Sequence, residues 1–255
     1  VTDVPGYLFD SNKDYRIRLR EHFGKYISKK FDFYVFLTQQ MNNLINIQKH
    51  PYIVLEGHVD SDMALKSNRI YDKYEKKVVM YAGLLRRIYG IDMLVRAFIK
   101  ANIENAELHI YGNGDFAEEL KNLCLVHKNI IFHGVRLNQQ IVDAEIRSTL
   151  LVNPRPTSQE YTKYSFPSKN LEYMVSGTPL LTTRLPGMPK EYEDYVYLIK
   201  DESIEGIRDS LMEVLSLSPE ELHAKGMRAK QFVLQNKSNI LQASRIIDMI
   251  KKHET

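Results

Sequence analysis

Six short runs of β-branched and apolar residues, each separated from the next by a helical pattern, constrain this chain most. They are KKVVMYAG (76–83), AELHIYG (106–112), NIIFHG (129–134), TLLVNPR (149–155), PLLTTR (179–184) and YVYLIKD (195–201). Their apolar residues are consecutive rather than alternate, as in strands covered by helices on both faces. Between them, 90–102, 115–128, 138–149 and 167–177 carry helical spacing. Strand and helix alternating at this pitch predict an α/β fold, a doubly wound, Rossmann-like parallel sheet. Two or three more helices follow from Ser203, and Leu211, Val214 and Leu215 at i, i+3 and i+4 form a core stripe.

The first 70 residues differ. DYRIRLREHFGKYISKKF is a basic helix containing Arg16, Arg18, Arg20, Lys25, Lys29 and Lys30. FDFYVFLT and PYIVLEG flank a helix, TQQMNNLIN, and are too few strands for a sheet of their own. They read as the remnant of a preceding α/β domain, followed by the polar link SDMALKSNRIYDKYEKK. The expected division is a tail and linker over 1–70, the sheet domain over 71–235 and a C-terminal helix over 236–255. The opening Val-Thr-Asp-Val-Pro reads as cut from something longer.

Composition removes several function classes. Hydrophobic residues make up 44% and charged residues 26%, an ordinary globular balance. A net charge of +3 argues for neither a nucleic-acid groove nor an acidic tail, and leaves room for a local basic patch. The single Cys124 cannot form an internal disulfide or a zinc cluster, reads as core, and fits a reducing cytosol. No run of eighteen apolar residues and no signal peptide is present. No metal-ligand spacing occurs among His, Asp and Glu, so no metal and no cofactor is expected. The expected location is cytoplasmic. The basic helix could make a peripheral contact with anionic lipid at the inner membrane face, and a solvated helix is the plainer account.

In an open α/β sheet, ligands bind beyond the carboxyl ends of the strands. In AGLLRRIYG (82–90), Gly83 lets the chain turn close to a ligand, and Arg86 and Arg87 supply charge. Phosphate recognition uses both features, although a tight turn with two solvated arginines reads the same way. YGNGD (111–115) suits a turn, with Asp115 able to cap the next helix. It lacks the third glycine of a dinucleotide fingerprint.

SFPSKNLEYMVSGTPLLTT (165–183) carries more. Ser165 can cap a helix that begins near Pro167, and free first-turn amides favour an anion. Lys169 in that turn opposes the helix dipole unless an anion neutralises it. Glu172 lies five residues after Pro167, about 7.5 Å along the axis, which suits a phosphate at the tip and a ribose beside the acid. Lys169 and Glu172 could equally be an i, i+3 surface pair. Gly177 and Pro179 end the helix, and PGMP (186–189) turns into a short one.

Read together, YAGLLRRIYGIDMLVRAF (81–98), IYGNGDFAEEL (110–120), IIFHGV (130–135), LLVNPR (150–155), SFPSKNLEYMVSGTPLLTT and LPGMPKEY (185–192) resemble one family. The chain is similar to the C-terminal half of a family-four, retaining glycosyltransferase of the GT-B fold, of the kind that builds bacterial polysaccharide. Residues 34–60 resemble the end of that family's acceptor domain. The resemblance implies a nucleotide-sugar donor, a saccharide or lipid-linked acceptor and no catalytic metal. It implies that Glu172 holds the ribose, that Ser168 and Lys169 meet the diphosphate, and that the loop near Val135 touches the base.

The sequence departs from the family pattern at three positions. Tyr164 stands where an acid facing the sugar is usual, and Glu160 is the candidate substitute. Leu84 and Tyr89 stand where the family has arginine and lysine, so Arg87, with Arg86, is expected to supply that charge. Arg155 and Lys163 are further candidates at the strand end. The other readings are a non-catalytic nucleotide- or partner-binding module and a nucleotide-sugar epimerase.

Overall fold

The computed structural model describes residues 30–253 apart from 46 and 48, so the basic stretch from Arg16 to Lys29 lies outside the described residues. A parallel two-stranded sheet pairs β1 (Tyr34–Phe36) with β2 (Tyr52–Val54), and α1 (Gln39–Ile45) lies between them in sequence. The expected polar link then makes short 3-10 turns at Ser61–Leu65 and Ile70–Asp72. It is pinned rather than free. Buried Asn68 donates to Ser176 O (2.9 Å), and Lys73 Nζ donates to Ile146 O, Ser148 O and Thr178 Oγ1 at 2.7–2.9 Å.

All six expected strands form one parallel sheet. They are β3 (Lys77–Ala82), β4 (Ala106–Tyr111), β5 (Ile130–Gly134), β6 (Leu150–Asn153), β7 (Leu180–Thr183) and β8 (Tyr197–Ile199). The order is β5-β4-β3-β6-β7-β8. The chain therefore winds outward from β3, returns, and winds the other way from β6. The helices are α2 (Ile91–Ala101), α3 (Ala117–Val126), α4 (Asn138–Arg147), α5 (Ser168–Ser176), α6 (Ile204–Leu215), α7 (Pro219–Asn236) and α8 (Asn239–His253).

Strand β3 shows why the runs are continuously apolar. Val79 and Tyr81 enter one core with Leu94 and Phe98 of α2 and Leu211 of α6. Met80 and Ala82 enter the other with Leu171 and Met174 of α5 and Phe232 of α7. Both faces are dry, so neither parity of the strand can be polar. The doubly wound expectation and the Leu211, Val214 and Leu215 stripe hold. Cys124 is half-buried on α3 beside the first core.

The chain enters and leaves this sheet domain side by side. Val59 and Ser238 form a parallel bridge, with Val59 N donating to Lys237 O and Asn239 N to Val59 O. Helix α8 then reaches back beside β2, and Gln242 donates to Gly57 O (2.9 Å). Buried Lys237 bonds Glu56 (3.0 and 3.2 Å) and Glu191 (2.7 Å), so its ammonium has counter-charges from both sides of the crossing.

Candidate functional site: the crevice where the sheet reverses

Adjacent strands β3 and β6 send their following connections in opposite directions, which opens a crevice beyond their carboxyl ends. Three loops meet there. Those after β3 and β4 are joined backbone to backbone: Gly83 N donates to Tyr111 O, Leu85 N to Asn113 O and Phe116 N to Leu85 O, at 2.9–3.0 Å. Gly112, at φ +127°, makes this possible, since a Cβ there would lie 1.8 Å from Gly83 O. The glycines of YGNGD thus serve the joint between the loops. Asp115 does not cap α3, whose N-cap is Phe116; it accepts from Arg87 N (3.1 Å) and ties the joint from the side.

The loop after β6 closes the crevice opposite. Gly90, at φ +78°, sits so close to it that a Cβ would lie 2.3 Å from Pro154 O. Thr182 and Thr183 on β7 donate to Asn153 O (3.0 Å) and Arg155 O (2.5 Å). The Asn153 amide donates to the Asn170 side chain in the first turn of α5 (2.6 Å). These buried bonds fix the strand end, the loop and the helix tip relative to one another.

Helix α5 begins as expected but is capped differently. Its N-cap is Pro167, which offers no side-chain acceptor, and the Ser165 hydroxyl donates instead to Tyr161 O (3.2 Å). The expectation that Ser165 caps the helix is therefore corrected: a cap needs its side chain over the N2 or N3 amide, and Ser165 lies two residues too early. The first turn is left without a side-chain cap beside an open crevice. Lys169 and Glu172 form a close i, i+3 ion pair, their side chains 30% and 53% exposed. Pairs this open are individually weak. Glu145 of α4 lies behind them, almost fully buried, with Oε1 unbonded. Burial pushes its carboxyl up to about 8, against the pull of Lys169.

The remaining sequence candidates are distributed around this frame. Gly83 lies in the loop joint. Val135 is 70% exposed just past β5, and its carbonyl accepts from Arg136. Ser168 is exposed at the α5 tip. Lys163 is exposed, and its carbonyl accepts from Thr38 Oγ1 (3.1 Å). Glu160 is exposed at the start of a 3-10 turn, Glu160–Lys163. Tyr164 packs against the small cluster of Tyr34, Phe36 and Met41, so this departure from the family pattern joins the crevice loop to β1 and α1.

The arginines separate sharply. Arg87 turns towards α3, paired closely with Glu119, near Asp92 (3.9 Å) and over the Phe116 ring. Arg86 is exposed, 5.8 Å from the centre of the Tyr89 ring. Arg155 lies on the crevice side, its Cζ 4.5 Å from the Tyr89 ring centre and 5.8 Å from that of Tyr161. Sequence reasoning missed Tyr161, whose contact with Tyr89 (6.3 Å, 68°) joins segments far apart in the chain. Among the described residues no group of three or more His, Cys, Asp or Glu could hold a metal ion, and no helix is long and apolar enough to cross a membrane.

A family model described as Glycosyl transferases group 1 matches residues 76–216, more than half of the chain. No curated protein matches the chain in sequence. Similar solved structures include a sucrose-phosphate synthase from Thermosynechococcus elongatus, at 15% identity and TM-score 0.74, covering 97% of this chain and 65% of that one. The pneumococcal O-GlcNAc transferase GtfA, solved with UDP and GlcNAc, is similar at 19% identity and TM-score 0.66, covering 89% and 47%. Anabaena Alr3699/HepE, solved with UDP, is similar at 12% identity and TM-score 0.72, covering 96% and 70%. The chain spans less than two thirds of the first two structures. The likenesses bear out the GT-B fold expected from the sequence.

Proposed function

This chain belongs to the glycosyl transferases group 1 family, and from that premise we propose that it binds a nucleotide-sugar donor in the crevice between β3 and β6. The observation that carries the reading is the α5 tip: a first turn with no side-chain cap, flanked by Lys169 and Glu172, at the point where the sheet reverses. Exposed amides and the helix dipole favour a diphosphate there. Lys169 leaves its weak pair for the phosphate, and the freed Glu172 carboxylate accepts from the ribose hydroxyls. Ser168 adds a hydroxyl at the tip, Gly83 allows close approach, and exposed Val135 flanks the base. Glu160 and Lys163 stand on the sugar side.

The reaction we propose is retaining transfer of the sugar to a saccharide or lipid-linked acceptor, in the synthesis of a bacterial surface polysaccharide. Catalysis then rests on positioning and on electrostatic stabilisation of the leaving diphosphate and a positively charged sugar. Orientation of two reactants contributes about 7–11 kcal/mol, and that needs a second wall facing the crevice. We therefore expect donor binding with negligible turnover from these 255 residues.

The test is calorimetry with UDP, GDP and ADP, UDP coming first because it is bound in two of the similar structures. Glu172→Ala should weaken the tightest nucleotide by about 10–100-fold, equivalent to 1.5–3 kcal/mol for hydrogen bonds to a charged group. Unchanged affinity would remove Glu172 from the site.

A further inference from the structure

Among the described residues, Arg155 is a cation in the crevice with no carboxylate partner and a buried Nε. Arg155 follows β6 by two residues. Its backbone is clamped from two sides, by Thr183 on its carbonyl and by the tight seat of Gly90 against Pro154. Its guanidinium lies over the Tyr89 ring, 4.5 Å from Cζ to the ring centre, with the Tyr161 ring at 5.8 Å on the same side. Its Nε is buried and bonds nothing, and so is the Tyr161 hydroxyl. Among the described residues no carboxylate pairs with it. Arginine keeps its charge throughout the accessible pH range, and burying its Nε–H without an acceptor is costly. Two aromatic faces offset part of that cost but saturate none of its N–H donors.

The other two arginines do not share this arrangement. Arg87 has Glu119 and Asp92 as partners, and its backbone is tied to Asp115. Arg86 is exposed on the loop. Resting on the donor reading above, we propose that Arg155, held against the Tyr89 and Tyr161 rings, is the residue that grips the donor's diphosphate, and that the Tyr161 hydroxyl donates to the same oxygens. The loop after β3 presents Leu84 and Tyr89, neither of them charged, so the cation comes from across the crevice. Tyr89 then orients that cation without contacting the anion. Asn153 links the strand end below Arg155 to the first turn of α5, so the guanidinium and the helix tip approach one group from two directions.

The surroundings fit this assignment. Burial pushes the Tyr81 phenol up to about 12 while the Arg155 charge pulls the other way, and Arg155 acts on Tyr161 in the same sense. Both phenols stay protonated at neutral pH, and Tyr161 can donate.

The experiment measures binding of inorganic pyrophosphate, of the tightest of UDP, GDP and ADP, and of the matching nucleoside, at two salt concentrations. Arg155→Gln should weaken the diphosphate ligands about 10–100-fold and leave the nucleoside within about twofold, because only the diphosphate carries the charge. Its salt dependence should fall as well. Arg155→Lys should retain part of the affinity, and Tyr161→Phe should cost less than Arg155→Gln while sparing the nucleoside. Thermal unfolding accompanies each variant, and if Arg155→Gln fails to fold, Arg155→Lys and Tyr161→Phe decide. Equal losses for nucleoside and diphosphate, or no loss, would overturn the assignment. So would a selective loss in Arg87→Ala with Arg155→Gln unchanged. Pyrophosphate separates this proposal from the donor reading: Arg155-dependent pyrophosphate binding sustains it even when no nucleotide binds, and absence of pyrophosphate binding by the parent chain counts against it.

Discussion

At the amino ends of β3 and β4 an open cleft of about 1060 Å³ is lined by Lys66, Lys73, Lys76, Glu107, Asp143 and Arg147 among others. Its polar groups, however, answer one another. Lys73 spends its donors on three acceptors, Lys76 pairs with Glu107 (2.6 Å), and the Arg147 guanidinium lies over the Tyr74 ring. Across the sheet, Arg155 Nε and Tyr161 Oη are unbonded, and α5 has no side-chain cap. Size follows from how the outer layers happen to meet, whereas unspent hydrogen-bonding capacity marks where a ligand would complete the structure. The proposed donor site is accordingly the carboxyl-end crevice rather than the amino-end cleft beside the docked linker.

Three substitutions probe that contrast, the largest effect first. Gly112→Ala puts a methyl into Gly83 O and removes the positive φ that the loop joint needs. It should cost about 4 kcal/mol or more, in the range reserved for strained backbone and overpacking, read as a lower denaturation midpoint with lost nucleotide binding. A mild effect would mean that the joint can open and the crevice is less rigid than described.

Lys73→Met, at the other end, should cost about 2–3 kcal/mol, because the buried Ser148 carbonyl and Thr178 hydroxyl lose their donor. Nucleotide affinity should not change. Coupled loss of binding would show that the two ends of the sheet communicate.

Glu145→Gln gives the smallest and most pH-dependent change. Burial raises the folded carboxyl from 4.5 to about 8, so the folded state holds the proton more tightly than the unfolded chain. That contribution is fully present below about pH 4.5 and is lost as pH rises towards 8. The variant, which cannot ionise, should match the parent at low pH and exceed it by about 1–2 kcal/mol at pH 9. The full shift at about 1.4 kcal/mol per unit is an upper bound, because the ionised carboxylate can relax towards water at pH 9. Parallel melting curves at all pH values would mean that Glu145 is not held neutral.

How much of this was legible in the sequence follows physical range. Strand β3 is readable because Val78 to Ala82 must each be apolar when two cores flank them. The α5 tip is readable because Pro167, Lys169 and Gly177 act within a turn or two of their own positions. Its cap is not, because Ser165 had a competing partner in Tyr161 O that only the folded loop supplies. Tyr164 could be seen as a departure, but its reason, a contact with Phe36 and Met41, spans more than a hundred residues. The contact of Arg155 with the Tyr89 ring is of the same kind. Arg87 is a sequence candidate because it lies between Leu84 and Tyr89, where the family has basic residues; its pairing with Glu119 depends on where α3 falls, which no local pattern encodes.

The adjacent entry and exit of the sheet domain, bridged at Val59 and Ser238, bear on how such a chain can be inherited. A block whose two ends meet can be lifted out and set into another host without stretching either end. Residues 60–237 are in that sense a cassette, with its socket formed by Gly57, Val59 and the start of α8. Selection could exchange the donor-facing block and the remainder of the chain independently, at the cost of refitting one buried lysine and its two carboxylates.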